Sequence, residues 1–258
     1  MITSAQNPRL KLARALLGRP KERRATDAFV AEGVRLVEEA LAAHWPFRFV
    51  LHGEKLSERG DELIKKLKTK GIECEAVSDP LLQALSDTGN SQGILAVLEH
   101  SLLPVPKSLD FVLVPDQIRD PGNLGTLLRS AAAAGAQAVF LPPETTDAFA
   151  PKVIRAGMGA HFRLPIHAFP WDEIRARTAG LQIFLADMHA TSCWETDLRP
   201  PLALIVGGEA EGASGPARKL ATSVVSIPMP GQAESLNAGM AGAVLMFEIV
   251  RQRRMSHK

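Results

Sequence analysis

The second half of this chain repeats one pattern. Short apolar runs, each five residues or so, are followed by stretches with helical spacing. The runs fall at 111–114, 138–141, 182–186, 202–206 and 224–227. They are rich in Val, Ile and Leu and do not alternate with polar residues. A strand with one wet face alternates, whereas a strand covered on both faces does not. The pattern therefore predicts an α/β domain built on a parallel sheet. Helices are expected at 123–134, 148–157, 171–178 and 213–220, with a longer one at 235–251. Ligands of such sheets bind in the loops beyond the strand C-termini.

Before this block lies SLLPVPKS at 101–108, whose two prolines suit an extended connector. The sequence boundary is thus a first domain over 1–103, a linker over 104–109 and a second domain over 110–258. The first domain reads as a mixture: helix 8–17, strand 28–32, a turn at Gly33, helix 34–43, strand 47–51, helix 62–70 closed by Gly71, a short helix 80–86 and strand 93–98. This too is α/β. No fixed-period repeat appears.

Charge and cysteine usage narrow the function classes. The net charge of +2 says little, but residues 1–24 hold Arg9, Lys11, Arg14, Arg19, Lys21, Arg23 and Arg24 against Glu22 alone. The last residues add Arg251, Arg253, Arg254 and Lys258. Such runs can form a phosphate-binding surface or a solvated helix face. Cys74 and Cys193 stand far apart with no His or Cys at ligand spacing, so neither a disulfide framework nor a metal site is expected. No apolar run spans a bilayer, and 1–24 has no apolar signal core. A cytoplasmic protein without membrane contact is the expectation.

Three segments carry candidate chemistry. The first, PDQIRDPGNLGTLLRSAAAAGA (115–136), runs from a strand through a Pro-Gly turn into a helix. It has neither the GK[ST] ending of a phosphate loop nor a GxGxxG fingerprint, which argues against a nucleotide-dependent dehydrogenase. Asn123 by itself reads as a helix cap. The second, LIVGGEAEGAS (204–214), ends a strand on Gly207 and Gly208, then places Glu209 at the sheet edge. Adjacent glycines let backbone approach a ligand closely. The third, SIPMPGQAESLNAGMAGAVLMFEIV (226–250), sets a proline-rich loop before Ser235, Leu236 and Asn237 and a helix with small residues. Ser235 alone is more often a cap than a catalytic group.

In order and spacing, these segments resemble the three motifs of the SpoU branch of the SPOUT methyltransferases. Asp120, Pro121, Asn123, Gly125 and Arg129 match the DPxNxGxxxR pattern. Gly207, Glu209 and Gly212 match the second motif, with Ala210 where the family has glycine. Ile227, Pro228, Met229, Ser235, Leu236 and Asn237 match the third, with Gly239 where Ser is frequent. The match covers about 110–250. Residues 2–17 and 29–41 are similar to the L30e/L7Ae-like substrate-binding domain attached to many SpoU enzymes.

The resemblance implies several properties. The second domain would contain a trefoil knot, which periodicity does not show, and two copies would form a homodimer with the active site near the interface. Its cofactor would be S-adenosylmethionine, lined by Gly207, Ile227, Met229 and Leu236. Its reaction would be methyl transfer to a ribose 2′-hydroxyl of RNA, ribosomal RNA ahead of transfer RNA. Asn123, Arg129, Glu209, Ser235 and Asn237 would form the catalytic set. A guanidinium is effectively always protonated, so Arg129 suits stabilisation of a developing alkoxide better than base catalysis. Arg9, Lys11, Arg23 and Arg24 would contact RNA phosphates. The competing readings are a base-methylating SPOUT enzyme and a non-catalytic RNA-binding or ribosome-assembly protein on the same scaffold.

Overall fold

The computed structural model describes residues 1–85, 93–209, 212–231 and 235–255. By contacts the chain divides into two compact units. One comprises Met1–Ser101 and Phe149–Phe162, the other Leu102–Ala148 and Arg163–Lys258. The segment Phe149–Phe162, which the sequence boundary assigns to the second domain, clusters with the first unit.

The first unit holds helices α1 (Pro8–Gly18), α2 (Pro20–Thr26), α3 (Val34–Ala42), α4 (Glu58–Thr69) and α5 (Asp79–Gln83). Its strands β1 (Ala28–Glu32), β2 (Phe47–His52), β3 (Cys74–Ala76) and β4 (Ile94–Glu99) form a sheet in the order β1-β4-β2-β3. Side chains alternate across a strand. Ala28 and Val30 join a core with Leu10, Ala13 and Leu16 of α1. Phe29, between them in sequence, faces the other way and packs on Trp45, Phe149 and Phe162. That aromatic group is why Phe149–Phe162 belongs to this unit. Its helix α7 (Pro151–Gly157) also carries Arg155, which pairs with Glu32 at 3.3 Å.

The second unit holds strands β5 (Phe111–Asp116), β6 (Ala138–Leu141), β7 (Ile166–Ala168), β8 (Gln182–Ser192), β9 (Leu202–Gly207) and β10 (Ser223–Ser226). They lie in the order β10-β8-β9-β5-β6-β7, and every pair is parallel. Its helices are α6 (Pro121–Ala134), α8 (Trp171–Arg177), α9 (Gly215–Leu220) and α10 (Ala238–Met255). On one face Val112, Val114, Ala203 and Ile205 pack with Ile174 of α8 and Ala217 of α9. On the other, α6 and α10 pack on each other, α6 on β5 and α10 on β9. Central strands buried on both faces explain the unbroken apolar runs.

Two features position the site. The chain leaves β5 toward β6 and β7, then returns to place β8 and β9 on the other side. The crevice at such a reversal is where open α/β sheets bind ligands. The second feature is a jump in the β10–β8 ladder. Val224 pairs with Leu185, but Val225 pairs with Thr191. Residues 186–190 are therefore thrown out of the ladder, as a bulge that re-aims side chains near the sheet edge. Among the described residues no helix is long and apolar enough to cross a membrane.

Candidate active site

Asp116 and Gly207 end β5 and β9 side by side in register. Beyond them α6 begins, and its cap is Asp120, whose Oδ1 accepts the Asn123 N–H at 2.8 Å. Asn123 is therefore not the capping residue that its type and place suggest. It sits inside the first turn with its side chain free to bond elsewhere. Its Nδ2 donates to Glu209 Oε1, and its Oδ1 accepts from Asn237 Nδ2 at 2.8 Å. Asn237 in turn caps α10, accepting the Met240 N–H on Oδ1 at 3.2 Å. Ser235 lies before that cap, so the capping role belongs to Asn237. One residue from each motif thus joins a single chain of hydrogen bonds, with the two amides aligned and the carboxylate at its end. Such a network holds its members in one orientation.

The glycines are required by contact. A Cβ on Gly207 would stand 2.6 Å from the Ala213 N, and one on Gly208 2.5 Å from the Gln117 carbonyl oxygen. The loop folds back on itself through a bridge between Gly208 and Gly212, and Gly212 has φ of +68°. The far end of the loop is anchored by Asp116, which is fully buried and accepts the Ser214 N–H on Oδ2 at 2.6 Å. Burial pushes the Asp116 carboxyl pKa up, and the Ser214 N–H partly offsets that. Ala210, the departure from the second motif, lies outside the described residues.

Against this loop opens a cavity of about 530 Å³, within the range of small-molecule sites. Gly207, Ile227, Met229 and Leu236, the expected cofactor contacts, all line it, as do Glu209, Ser235 and Asn237. Its apolar wall comes from Val206, Val225 and Leu245. Among the lining residues that sequence reasoning missed are Asp187, Met188 and His189 on the β8 bulge, and Arg218 on α9. None of them lies in the three motifs. The His189 backbone N–H, with help from Arg218, holds the Asp187 carboxyl below the usual carboxylate range.

Arg129 is different. It is exposed on α6, does not line the cavity, and its side chain makes no hydrogen bond or ion pair among the described residues. The structure does not bring it to the Asn123–Glu209–Asn237 chain within one copy.

The basic residues sort into two groups. Arg9 is held by Glu73 and by Glu75 at 3.2 Å, and lies over the Phe49 ring. Arg23 is buried, with its guanidinium donating to the Leu16 carbonyl at 2.6 Å. Both are engaged within the first unit, Arg9 by carboxylates and Arg23 by a backbone carbonyl. Lys11 and Arg24 are exposed, together with Arg14, Arg19 and Lys21. At the C-terminal end Arg251 pairs with Glu248, and Arg253 with Asp110 at 2.6 Å. The first pair lies within α10 and the second ties the helix to the start of β5, while Lys258 lies outside the described residues.

Residues 110–247 match the SpoU rRNA Methylase family, and residues 7–96 match the MRM3-like substrate binding domain. The chain belongs to the SpoU family. Among its SpoU relatives is the 23S rRNA (guanosine(2553)-2′-O)-methyltransferase RlmP of Bacillus subtilis. That protein is 35% identical, over 96% of this chain and 98% of its own. The 23S rRNA (uridine(2479)-2′-O)-methyltransferase of Streptomyces viridochromogenes is 33% identical, over 97% of this chain and 92% of its own. The crystal structure of the SpoU methyltransferase AviRb from Streptomyces viridochromogenes, in complex with AdoMet, superposes with a TM-score of 0.84. It is 31% identical, over 96% of this chain and all of its own.

Proposed function

We propose that this chain is an S-adenosylmethionine-dependent methyltransferase acting on a ribose 2′-hydroxyl of ribosomal RNA, in the cytoplasm. The observation that carries this reading is the Glu209–Asn123–Asn237 chain at the rim of the glycine-loop cavity. The names of its relatives supply the RNA class. The residues fit the cofactor. Gly207 leaves its backbone bare at the cavity edge, Val206, Ile227 and Leu245 give an apolar wall, and Ser235 offers a hydroxyl.

S-adenosylmethionine supplies an activated methyl group. The protein must then orient the hydroxyl and stabilise the charge it develops as its proton passes to water. Orientation falls to Glu209, whose carboxylate accepts hydrogen bonds and is held by the Asn123 amide, which Asn237 holds in turn. Such alignment can supply about 7–11 kcal/mol of a barrier. Arg129 supplies the cation for the developing alkoxide. The reading is tested by incubating the protein with S-adenosylmethionine and ribosomal RNA, then mapping 2′-O-methylated nucleotides. One new 2′-O-methyl position supports it. Methylation on a base, or none, refutes it.

Arg129 lies outside its own chain's cavity, which supports an active site completed between two copies. Met240, Val244 and Phe247 are all exposed on α10, at 55%, 42% and 49%. Their spacing is one helical stripe, of the kind that covers an interface. Phe247→Glu is expected to shift the protein from dimer to monomer in sedimentation and to remove activity. A monomeric parent protein would sink this part.

The first unit is the RNA-binding part. Lys11, Arg14, Lys21 and Arg24 are exposed and pair with no carboxylate among the described residues. Replacing all four with alanine is expected to reduce the slope of log affinity against log salt by about 3. Arg9→Ala, by contrast, leaves the slope unchanged. An unaltered slope in the fourfold variant would make this face merely solvated.

A further inference from the structure

Two walls of the cavity come from separate strands. One is the 186–190 bulge of β8, bearing Asp187, Met188 and His189. The other is formed at the end of β9 and beyond it by Gly207, Gly208, Glu209, Gly212 and Ala213. Arg218, on α9, touches both. Its Nη1 lies 3.2 Å from Asp187 Oδ2, and its Nε donates to the Ala213 carbonyl at 3.2 Å. Its Nη2 lies 3.5 Å from where a Cβ on Gly212 would stand. Asp187 is fixed on its own side as well, since its Oδ1 accepts the His189 N–H at 3.0 Å. Each end of the ion pair is therefore tied to the wall it serves.

We propose that Asp187 and Arg218 are positioning residues that latch the β8 bulge to the glycine loop and so preform the cofactor pocket. This rests on the reading of the cavity as the S-adenosylmethionine site. The physical argument concerns order rather than global stability. The Arg218 side chain is 52% exposed and that of Asp187 25%, and ion pairs so open to water add little to folding. The two walls, however, are a bulge outside the ladder and a loop with three glycines. Without the latch, binding must order both walls at its own expense. A guanidinium suits the task because its planar fork presents donors to two acceptors in a fixed geometry, whereas an ammonium is a compact point charge on a flexible stem.

The test is a double-mutant cycle on the full chain, with the dissociation constant for S-adenosylmethionine measured by calorimetry. Arg218→Ala and Asp187→Asn are each expected to weaken binding about fivefold. Combining them adds nothing, because either change alone opens the latch. Cofactor KM should rise more than kcat falls, with the melting temperature moving by less than about 2 °C. Unchanged affinity in both single variants overturns the proposal. So do additive losses in the double variant, which would mean that each side chain contacts the cofactor for itself. Gly207→Ala separates this from failure of the underlying reading. If that variant loses the cofactor while the other two keep it, the latch alone fails. If all three bind as the parent does, the cavity is not the cofactor site.

Discussion

Arg129→Ala is expected to lower ribose methylation by about two to three orders of magnitude, with cofactor affinity unchanged within about twofold. The large loss follows from the charge balance of the reaction. A ribose hydroxyl that attacks a methyl group passes through an oxygen with alkoxide character, and a fixed cation stabilises that charge only where it develops. Arg129 is the cation that the first motif offers for this role. It is exposed, and no carboxylate among the described residues neutralises it. It also lies off the cavity lining, so its removal leaves the cofactor contacts in place. Single-turnover methylation beside calorimetric titration of S-adenosylmethionine checks both halves. Activity at the parent level would remove Arg129 from the catalytic set. A parallel loss of cofactor affinity would instead make it part of the binding site. Arg129→Lys is informative too. It keeps the charge but loses the planar fork, so partial recovery identifies charge as the main contribution.

The sequence reveals most where burial is complete. Runs such as 111–114, 138–141 and 202–206 are unbroken because each strand is covered on both faces, and they correspond to β5, β6 and β9. The elements missed are those in which burial writes no such pattern. β3 and β7 have three residues each, too few for any periodicity. α2 reads PKERRAT, with no apolar stripe, and is fixed by Pro20 at its start and by Asp27 at φ of +50° after its end. α4 begins at Glu58 because Ser57 caps it, four residues earlier than apolar spacing suggests.

The site follows the same logic. Motif spacing brought out Asn123, Glu209 and Asn237, and the structure bonds them together. What spacing could not contain is a partner supplied by the order of strands. Asp187 reaches Arg218 only because β8 lies beside β9 and α9 follows the glycine loop. Charge counting could not show that Arg9 is paired, for a similar reason. Its carboxylates, Glu73 and Glu75, lie more than sixty residues away in sequence. Threading of the chain, likewise, has no signature in periodicity, and the knot enters only through the family resemblance.

Gly207→Ala is expected to weaken S-adenosylmethionine binding by about 5- to 150-fold. The added methyl would stand 2.6 Å from the Ala213 N and 2.7 Å from the Gly212 carbonyl carbon. These are backbone atoms, so no side-chain rotation relieves the contact. The loop itself must move. Overpacking of this kind costs about 1–3 kcal/mol, and every 1.4 kcal/mol charged against binding is about tenfold in affinity. The displaced atoms are those that line the cavity, and Asp116 pins the far end of the loop through Ser214. The strain therefore stays in the pocket instead of spreading along the chain. Gly215→Ala is the control. That position has no atom within 4 Å of an added Cβ, and it opens α9 beyond the anchored segment, so its affinity should match that of the parent. Calorimetry on both variants, with a melting curve for each, separates the outcomes. If Gly207→Ala binds S-adenosylmethionine as the parent does, Gly207, Gly212 and Ala213 do not form the cofactor cradle. If it unfolds outright, Gly208→Ala tests the same loop. Its methyl would meet the Gln117 carbonyl oxygen at 2.5 Å, from the β5 side of the crevice.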